Sequence, residues 1–234
     1  MKTFVIYSFF FLINVVLATA YTDITSNDVE NQKDVVKFTD GDLYLLLDKL
    51  AGNKVSIQLY YECHCQDCRQ FESNDFKQTV EKLHKYLDIK TYPYGKAKTH
   101  IHGNKIEFEC QHGPKECYGN KLHACALDII NDHTTALLFN SCMMEQSQDE
   151  MGSDDKAADK CGSNMKIDSC SIKACAKGNK GNKLLKYYGE ETKKADFHYV
   201  PYVLINGDKY NRNNAFIKDV CAKFSNPPPP CNDV

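Results

Sequence analysis

Three cysteines within six positions are the first candidates for chemistry in this chain. Cys63, Cys65 and Cys68 lie in the stretch IQLYYECHCQDCRQFE, after an apolar run and before a predicted helix. Cys65 and Cys68 form a Cys-x-x-Cys pair, a spacing that lets two thiols meet across one helical turn. The free amides and the dipole of a helix N-terminus stabilise a thiolate. The pattern therefore predicts a redox-active dithiol in which Cys65 attacks and Cys68 resolves.

Two other uses of these cysteines stay open on the residues alone. A structural disulfide would join Cys65 to Cys68 or each of them to another partner. A zinc site would add Cys63, His64 and His112 as ligands, but such sites usually show two Cys-x-x-Cys knuckles and we expect no metal here. Cys63 faces the same side of its strand as Cys65, and we expect it to be held in a structural bridge to the middle of the chain.

The first 20 residues, MKTFVIYSFFFLINVVLATA, predict the compartment. One positive charge, an uncharged apolar run and the ending Ala18-Thr19-Ala20 are typical of a secretory signal peptide cut after Ala20. No later stretch approaches about 18 apolar residues, so we expect no membrane span. All 12 cysteines follow residue 62, in keeping with an oxidising compartment. The net charge of −2 shows no excess of positive charge of the kind that binds nucleic acid. We expect a protein of the secretory pathway, either secreted or lysosomal/endosomal.

The elements around the dithiol predict the start of an α/β sheet. The apolar run at 54–61 indicates a buried strand, and residues 67–87 place their apolar side chains on one helix face. Residues 87–94 and 105–109 are candidates for a second and a third strand. Strand, dithiol, helix and strand in this order form a βαβ unit.

The middle of the chain interrupts this pattern. Residues 116–144 are predicted to be helical, 146–160 to form a polar loop, and 161–195 to carry three more cysteines and a Gly- and Lys-rich run. A strand signal returns at 198–207 and closes on Asn206-Gly207, a strong hairpin-turn signal. An α/β sheet with a helical, cysteine-bearing insertion is the predicted architecture.

Pro201 supports the same fold. A Cys-x-x-Cys between a strand and a helix is the thioredoxin-type arrangement. In such folds a cis proline opens a late strand and packs beside the dithiol, and Val200-Pro201 precedes the strand-like YVLING. We expect short helices at 43–50 and 215–224. The predicted division of the chain is a signal peptide (1–20), an N-terminal segment (21–50), a thioredoxin-like first half (51–113), the insertion (114–195), a second half (196–225) and a Pro-rich tail (226–234).

A second motif carries a family resemblance. The segment CQHGPKECYGNKLHAC reads Cys-Gln-His-Gly-x-x-Glu-Cys-x-x-Asn-x-x-x-x-Cys, and it resembles the signature of the gamma-interferon-inducible lysosomal thiol reductase family at every fixed position. The lead-in Leu59-Tyr60-Tyr61-Glu62 and the later Tyr199-Val200-Pro201-Tyr202 are also similar to that family. The signature residues are Cys110, Gln111, His112, Gly113, Glu116, Cys117, Asn120 and Cys125.

The resemblance implies a thioredoxin-like enzyme that reduces protein disulfides in acidic endosomes and lysosomes. It places the active-site cysteines at Cys65 and Cys68. We interpret the signature as structural, with Cys110, Cys117 and Cys125 in bridges. For His112 we expect a scaffold role, and the alternative is that it tunes the dithiol. Disulfide-containing proteins would be the substrates. No bound cofactor is expected, and an external small thiol would reset the enzyme. The alternatives are a disulfide oxidase or isomerase and a cysteine-rich binding protein without activity.

Overall fold

A computed structural model describes residues 54–103, 105–146, 152–212 and 214–234. The predicted signal peptide, the segment 21–50 and the helix at 43–50 lie outside these residues. The strands are β1 (Val55–Tyr61), β2 (Leu87–Pro93), β3 (Lys98–His102), β4 (Lys105–Glu109), β5 (Tyr202–Ile205) and β6 (Asp208–Lys209). The helices are α1 (Gln66–Phe71), α2 (Lys77–Leu83), α3 (Pro114–Ile129), α4 (His133–Gln146), α5 (Asp155–Met165), α6 (Ser169–Lys177), α7 (Asn179–Thr192) and α8 (Phe216–Cys221).

The main sheet has the order β2-β1-β5-β6, so β1 is an inner strand. β1 pairs in parallel with β2 and antiparallel with β5. Alternate side chains of β1 are buried in the main apolar core, which they share with residues of the helices. They are Val55, Ile57 and Leu59. Because an inner strand is covered on both edges, its C-terminal end is a rigid place from which to present the Cys-x-x-Cys.

The returning strand is fixed by its turn. Asn206 and Gly207 have positive φ values of 52° and 84°, the conformation a two-residue hairpin of the mirror-image type requires. The Asn206 Oδ1 also accepts a hydrogen bond from the Ser56 amide at 2.8 Å. This contact ties the turn to β1 and sets the register of β5 beside it.

The predicted long helix after the dithiol is shorter and has three parts. A π-helical turn, Glu72–Phe76, joins α1 to α2, and a 3₁₀ turn, His84–Tyr86, follows. Leu87 begins β2 and does not belong to the helix. The strand predicted at 105–109 exists, but it pairs with β3 in a separate two-stranded ribbon. Sequence periodicity had not indicated β3, whose side chains are mostly exposed.

The insertion is more helical than its sequence suggested. The helix predicted over 116–144 is two helices, α3 and α4, separated where the Asp132 carboxylate accepts the Thr135 amide at 2.8 Å. The loop predicted at 146–160 is wrong in its second half, because Asp154 caps the start of α5 by accepting the Ala157 amide. Helices α3 to α6 share an apolar core of their own around Leu122, Phe139 and Ile172.

Four disulfides are present among the described residues, and three of them hold the insertion. They are Cys110–Cys117, Cys125–Cys175, Cys142–Cys161 and Cys221–Cys231. The expected bridging of Cys110, Cys117 and Cys125 is confirmed. Cys63, Cys65, Cys68 and Cys170 are free thiols. No helix of the described residues is long and apolar enough to cross a membrane.

Candidate active site

Cys65 is the N-cap of α1, so its thiol meets the free amides of the first helical turn. Its Sγ accepts a hydrogen bond from the Cys68 amide at 3.4 Å. The pKa of Cys65 is lowered to about 6, first by the hydrogen bond from the Cys68 thiol and then by the Cys68 and Asp67 amides, against an opposing effect of burial. Cys65 is half-buried, and it is therefore a thiolate that a substrate can reach.

Cys68 differs from Cys65 in each of these respects. Its side chain lies in the core beneath α1. Burial raises the pKa of Cys68 well above its usual value, and the hydrogen bond to Cys65 raises it further. One thiol of the pair is accessible and ionises at a lower pH than usual, and the other is enclosed and keeps its proton to a higher pH than usual.

Pro201 lies beside the pair. The Val200–Pro201 peptide bond is cis, as predicted. The Cys65 Sγ lies 3.7 Å from the Val200 carbonyl oxygen, which accepts a hydrogen bond from the thiol in its protonated form. A cavity of about 260 Å³ opens here, lined by Glu62, Cys65, Gln66, Asp67, Lys96, Gln111, His112, Tyr199 and Val200. This opening thus brings four features together. They are the end of β1, the Cys-x-x-Cys, part of the signature and the loop before the cis proline.

The signature residues hold the segment that leads into the dithiol. The Asn120 side chain accepts the Cys63 amide at 3.0 Å, and the Glu116 carbonyl accepts the Cys63 thiol at 3.5 Å. Gly113, with φ of 86°, turns the chain into α3, and Pro114 starts that helix. The Cys110–Cys117 bridge spans this turn. Gln111 lines the cavity, and Cys125 anchors α3 to α6.

The prediction of a structural bridge at Cys63 is wrong. Cys63 is buried and unpaired, and burial raises its pKa well above the usual value. Its Sγ points at α3, where a side chain on Gly119 would come within 2.4 Å of it. The helix therefore presents backbone to Cys63 and no cysteine, while the cysteines of the insertion pair with one another.

Glu62 lines the cavity, and the sequence pattern had not singled it out as a site residue. It follows an apolar strand directly, and its side chain is fully buried. Burial raises the pKa of Glu62 to about 7, and the Lys96 amide, which donates to Oε1 at 2.6 Å, opposes that rise. A carboxylate at the end of a buried strand is the signal that could have found it, because charged groups are rarely buried without a role.

His112 and Glu116 of the signature lie next to Glu62. The His112 Nδ1 donates to Glu116 Oε2 at 2.5 Å and lies 3.6 Å from Glu62 Oε2. One ligand atom of each of the three side chains lies within 4.8 Å of the others. Among the described residues these three form the one group that could hold a metal ion. The zinc ligand set considered from the sequence, built on the cysteines with His64, does not come together as such a group.

Comparison with known proteins places this arrangement in a family. Residues 56–165 match the model of the gamma interferon inducible lysosomal thiol reductase (GILT) family. The chain is 32% identical over 180 residues to GILT-like protein 2 of Drosophila melanogaster, covering 74% of this chain and 82% of that protein. It is also 32% identical to a gamma-interferon-inducible lysosomal thiol reductase-like protein of Anopheles gambiae, covering 61% of this chain and 62% of that one. The chain belongs to the GILT family.

A solved structure supports the fold. The MdbA protein, a thiol-disulfide oxidoreductase from Actinomyces oris, superposes with a TM-score of 0.55 at 16% identity, over 75% of this chain and 84% of that one. The predicted thioredoxin-like α/β fold with a disulfide-stapled helical insertion is confirmed. As a GILT family member the chain is a thiol-disulfide oxidoreductase, and the alternative of a binding protein without activity is wrong.

Proposed function

We propose that the chain is a thiol reductase that cleaves disulfide bonds of protein substrates through Cys65 and Cys68. The contrast between the two thiols carries this proposal. Cys65 has a pKa of about 6 at an accessible helix N-terminus, and the buried Cys68 has a raised pKa three residues later. An attacking thiolate next to a protected resolving thiol is what a two-step reductase requires.

The reaction balances in two exchanges. The Cys65 thiolate attacks one sulfur of the substrate disulfide, forms a mixed disulfide and releases the other substrate sulfur as a thiolate. Cys68 then loses its proton and attacks the Cys65 sulfur, so the second substrate sulfur leaves as a thiolate. The substrate gains two electrons and the dithiol becomes a disulfide. A small external thiol returns those two electrons and resets the enzyme.

The lowered pKa of Cys65 suits an acidic compartment. At pH 5 a thiol of pKa about 6 is roughly 9% thiolate, whereas a thiol of pKa about 9 is roughly 0.01% thiolate. A Brønsted slope of about 0.4–0.5 returns roughly 15- to 30-fold of that gain as lower nucleophilicity. The net gain of tens-fold at pH 5 supports function in an endosome or lysosome.

The cysteine usage supports a secretory route. Four disulfides tie the described part of the chain, and such bridges persist in oxidising compartments. We propose that the mature protein is secreted or delivered to the endolysosomal system. It would meet there both unfolding disulfide-bonded proteins and small thiols.

The test is a pair of cysteine variants assayed on a self-quenched disulfide peptide with cysteine as reductant. Cys65→Ser is expected to lose turnover from pH 4.5 to 7. Cys68→Ser is expected to accumulate a mixed disulfide with the peptide, visible by mass and mapped to Cys65. The matched control is Cys170→Ser, which removes a free exposed thiol far along the chain and is expected to keep wild-type turnover. Wild-type turnover by Cys65→Ser would contradict the assignment of Cys65 as the attacking thiol.

An oxidase or isomerase is the second candidate, and the same lowered pKa favours it. Stabilising the Cys65 thiolate stabilises the reduced dithiol, which makes its disulfide more oxidising. Equilibrating the protein with glutathione buffers and trapping the thiols gives the reduction potential. A potential well below that of the glutathione couple supports the reductase, and a potential above it supports the oxidase or isomerase.

A further inference from the structure

Three side chains at the opening beside Cys65 are not used by the dithiol reaction: Glu62 and His112 line the opening, and Glu116 contacts His112. Glu62 comes from the end of β1, His112 from the turn before α3, and Glu116 from the first turn of α3. One ligand atom of each lies within 4.8 Å of the others. Two stretches about 50 residues apart along the chain are thus brought together, next to the cavity that Cys65 also lines.

The backbone around Glu62 is shaped for this carboxylate. Gly95 has a φ of 56°, and a side chain there would come within 2.1 Å of the Glu62 Cγ. The turn therefore closes over Glu62, and the Lys96 amide donates to Oε1 at 2.6 Å. The other oxygen, Oε2, is buried and has no hydrogen-bond partner among the described residues. It faces the His112 imidazole at 3.6 Å, an ion-pair distance that is too long for a hydrogen bond.

The cluster also carries an imbalance of charge. The Glu62 and Glu116 side chains are both fully buried, and the single imidazole between them is 38% exposed. Two enclosed carboxylates facing one histidine cost free energy unless a cation or a proton compensates them. The Cys110–Cys117 bridge closes the loop that carries His112 and Glu116, and the Lys96 amide holds Glu62.

We propose that Glu62, His112 and Glu116 bind a divalent cation of the zinc class, with the open coordination position facing the cavity at Cys65. One imidazole nitrogen and two carboxylate oxygens are a donor set that Zn²⁺ accepts, and three protein ligands leave a fourth position free. The ion takes the place of the hydrogen bond between His112 Nδ1 and Glu116 Oε2. The partly exposed imidazole is the ligand with room to adjust. Cys65 lines the same cavity. Its Sγ is not among the atoms within 4.8 Å of one another, so its thiolate takes the fourth position only after a shift of the side chains.

Zinc binding is measured first without the reactive thiols. In a full-length chain with Cys65→Ser, Cys68→Ser and Cys170→Ser, Zn²⁺ is titrated at pH 7 against a fluorescent zinc chelator. One ion per chain is expected. His112→Ala and Glu116→Gln are each expected to weaken binding by at least about tenfold, since loss even of a supporting group costs 10- to 100-fold. Glu116→Gln keeps an acceptor for His112, and far-UV circular dichroism and thermal melting without metal check that both variants fold.

The matched control is His100→Ala. His100 also pairs with a carboxylate, Glu109, but both side chains are exposed on the ribbon. This variant, made in the same triple-cysteine variant, is expected to bind zinc as tightly as that parent chain does. Equal affinity in the parent, His112→Ala and Glu116→Gln would mean adventitious binding to surface histidines and would overturn the site, as would the absence of binding in the parent at 100 µM Zn²⁺.

Cobalt tests the fourth position. Co²⁺ added to the reduced Cys170→Ser chain is expected to give the near-ultraviolet absorption of a cobalt–thiolate bond, and the added change Cys65→Ser is expected to remove it. Persistence of the band in that variant would show that another thiol binds the ion and would refute the orientation toward Cys65. Neither measurement depends on turnover, so the metal site stands or falls separately from the reductase.

Discussion

The segment 62–68 and the helical insertion treat their cysteines in opposite ways. Cys63, Cys65 and Cys68 are all free, whereas six of the seven cysteines between residues 110 and 175 form three bridges. Packed helices bring pairs of side chains face to face, as α3 does with α6 and α4 with α5. At a turn from strand to helix the thiols face backbone, so amides and carbonyls become their partners.

Burial alone does not decide whether a cysteine of this chain forms a disulfide. Cys63 and Cys125 are both fully buried, yet one is a free thiol and the other is bridged. What differs is the neighbour opposite the thiol: Gly119 on α3 for Cys63, and Cys175 on α6 for Cys125. The three thiols of the first region then separate by their access to amides and to water.

The largest effect is expected from Cys65→Ser, which removes the one thiol with a lowered pKa. Reductase activity on a disulfide peptide should fall by at least about 10³-fold, equivalent to about 4 kcal/mol of activation free energy. Cys170→Ser should stay within about twofold of wild type. If the activity of Cys65→Ser falls only a few-fold, another thiol attacks the substrate. The free thiols of segment 62–68 would then not be what separates the catalytic region from the insertion.

The bridges of the insertion are expected to contribute stability in proportion to the loops they close. Replacing Cys125 and Cys175 together with Ala opens a separation of 50 residues and should lower the free energy of unfolding by about 4 kcal/mol on the chain-entropy estimate. The same change at Cys110 and Cys117 opens a separation of 7 and should cost about 2 kcal/mol. Urea unfolding of the oxidised proteins measures both.

The order of these two costs is the informative part. If the Cys110–Cys117 pair proves the more costly, its role is to hold the cavity wall at His112 and Glu116, and loop closure is the minor effect. Activity measured below the unfolding transition separates the two, because a loss of the wall lowers turnover without unfolding the chain.

Alkylation should separate the three free thiols of the first region. The rate of iodoacetamide modification at Cys65 should rise with pH through a midpoint of about 6, because only the thiolate reacts. Cys63 and Cys68 should react on the order of 100-fold more slowly at pH 6.5, because burial encloses them and raises their pKa values. Peptide mapping after brief labelling gives each rate. A midpoint near pH 9 for Cys65 would contradict the effect of the helix N-terminus.

The smallest effect is expected at Cys63. Its thiol fills space against α3 without a covalent bond, so Cys63→Ala should lower the free energy of unfolding by only about 1–2 kcal/mol, as for a small cavity. Activity should stay within about threefold of wild type. A cost of 4–5 kcal/mol, the value expected for a bridge, would contradict the free thiol, and a large loss of activity at unchanged stability would make Cys63 a third redox group.

Much of the fold follows from local pattern. The buried strand β1, the dithiol at the start of α1, β2 and the Asn206-Gly207 hairpin lie where the sequence predicted them, because apolar periodicity and turn residues act over a few positions. The starts of two helices in the insertion were also predictable from capping residues. Asp132 and Asp154 accept backbone amides at the starts of α4 and α5, and these two aspartates mark boundaries that apolar periodicity does not show. Strand β3, short and exposed, has no apolar alternation to detect.

The family, the thioredoxin-like fold and the Cys-x-x-Cys at a helix start were predictable from the residues, because they depend on short-range spacing and on one long signature. Chain packing sets which cysteines pair, leaves Cys63 a thiol, and brings Glu62 to His112 and Glu116 beside Cys65. Those outcomes depend on contacts between residues 7 to 50 positions apart for the bridges, and about 50 positions apart for Cys63 and Glu62. The sequence does not show which residue of a packed helix will face a given cysteine. For Cys63 that residue is Gly119 of α3.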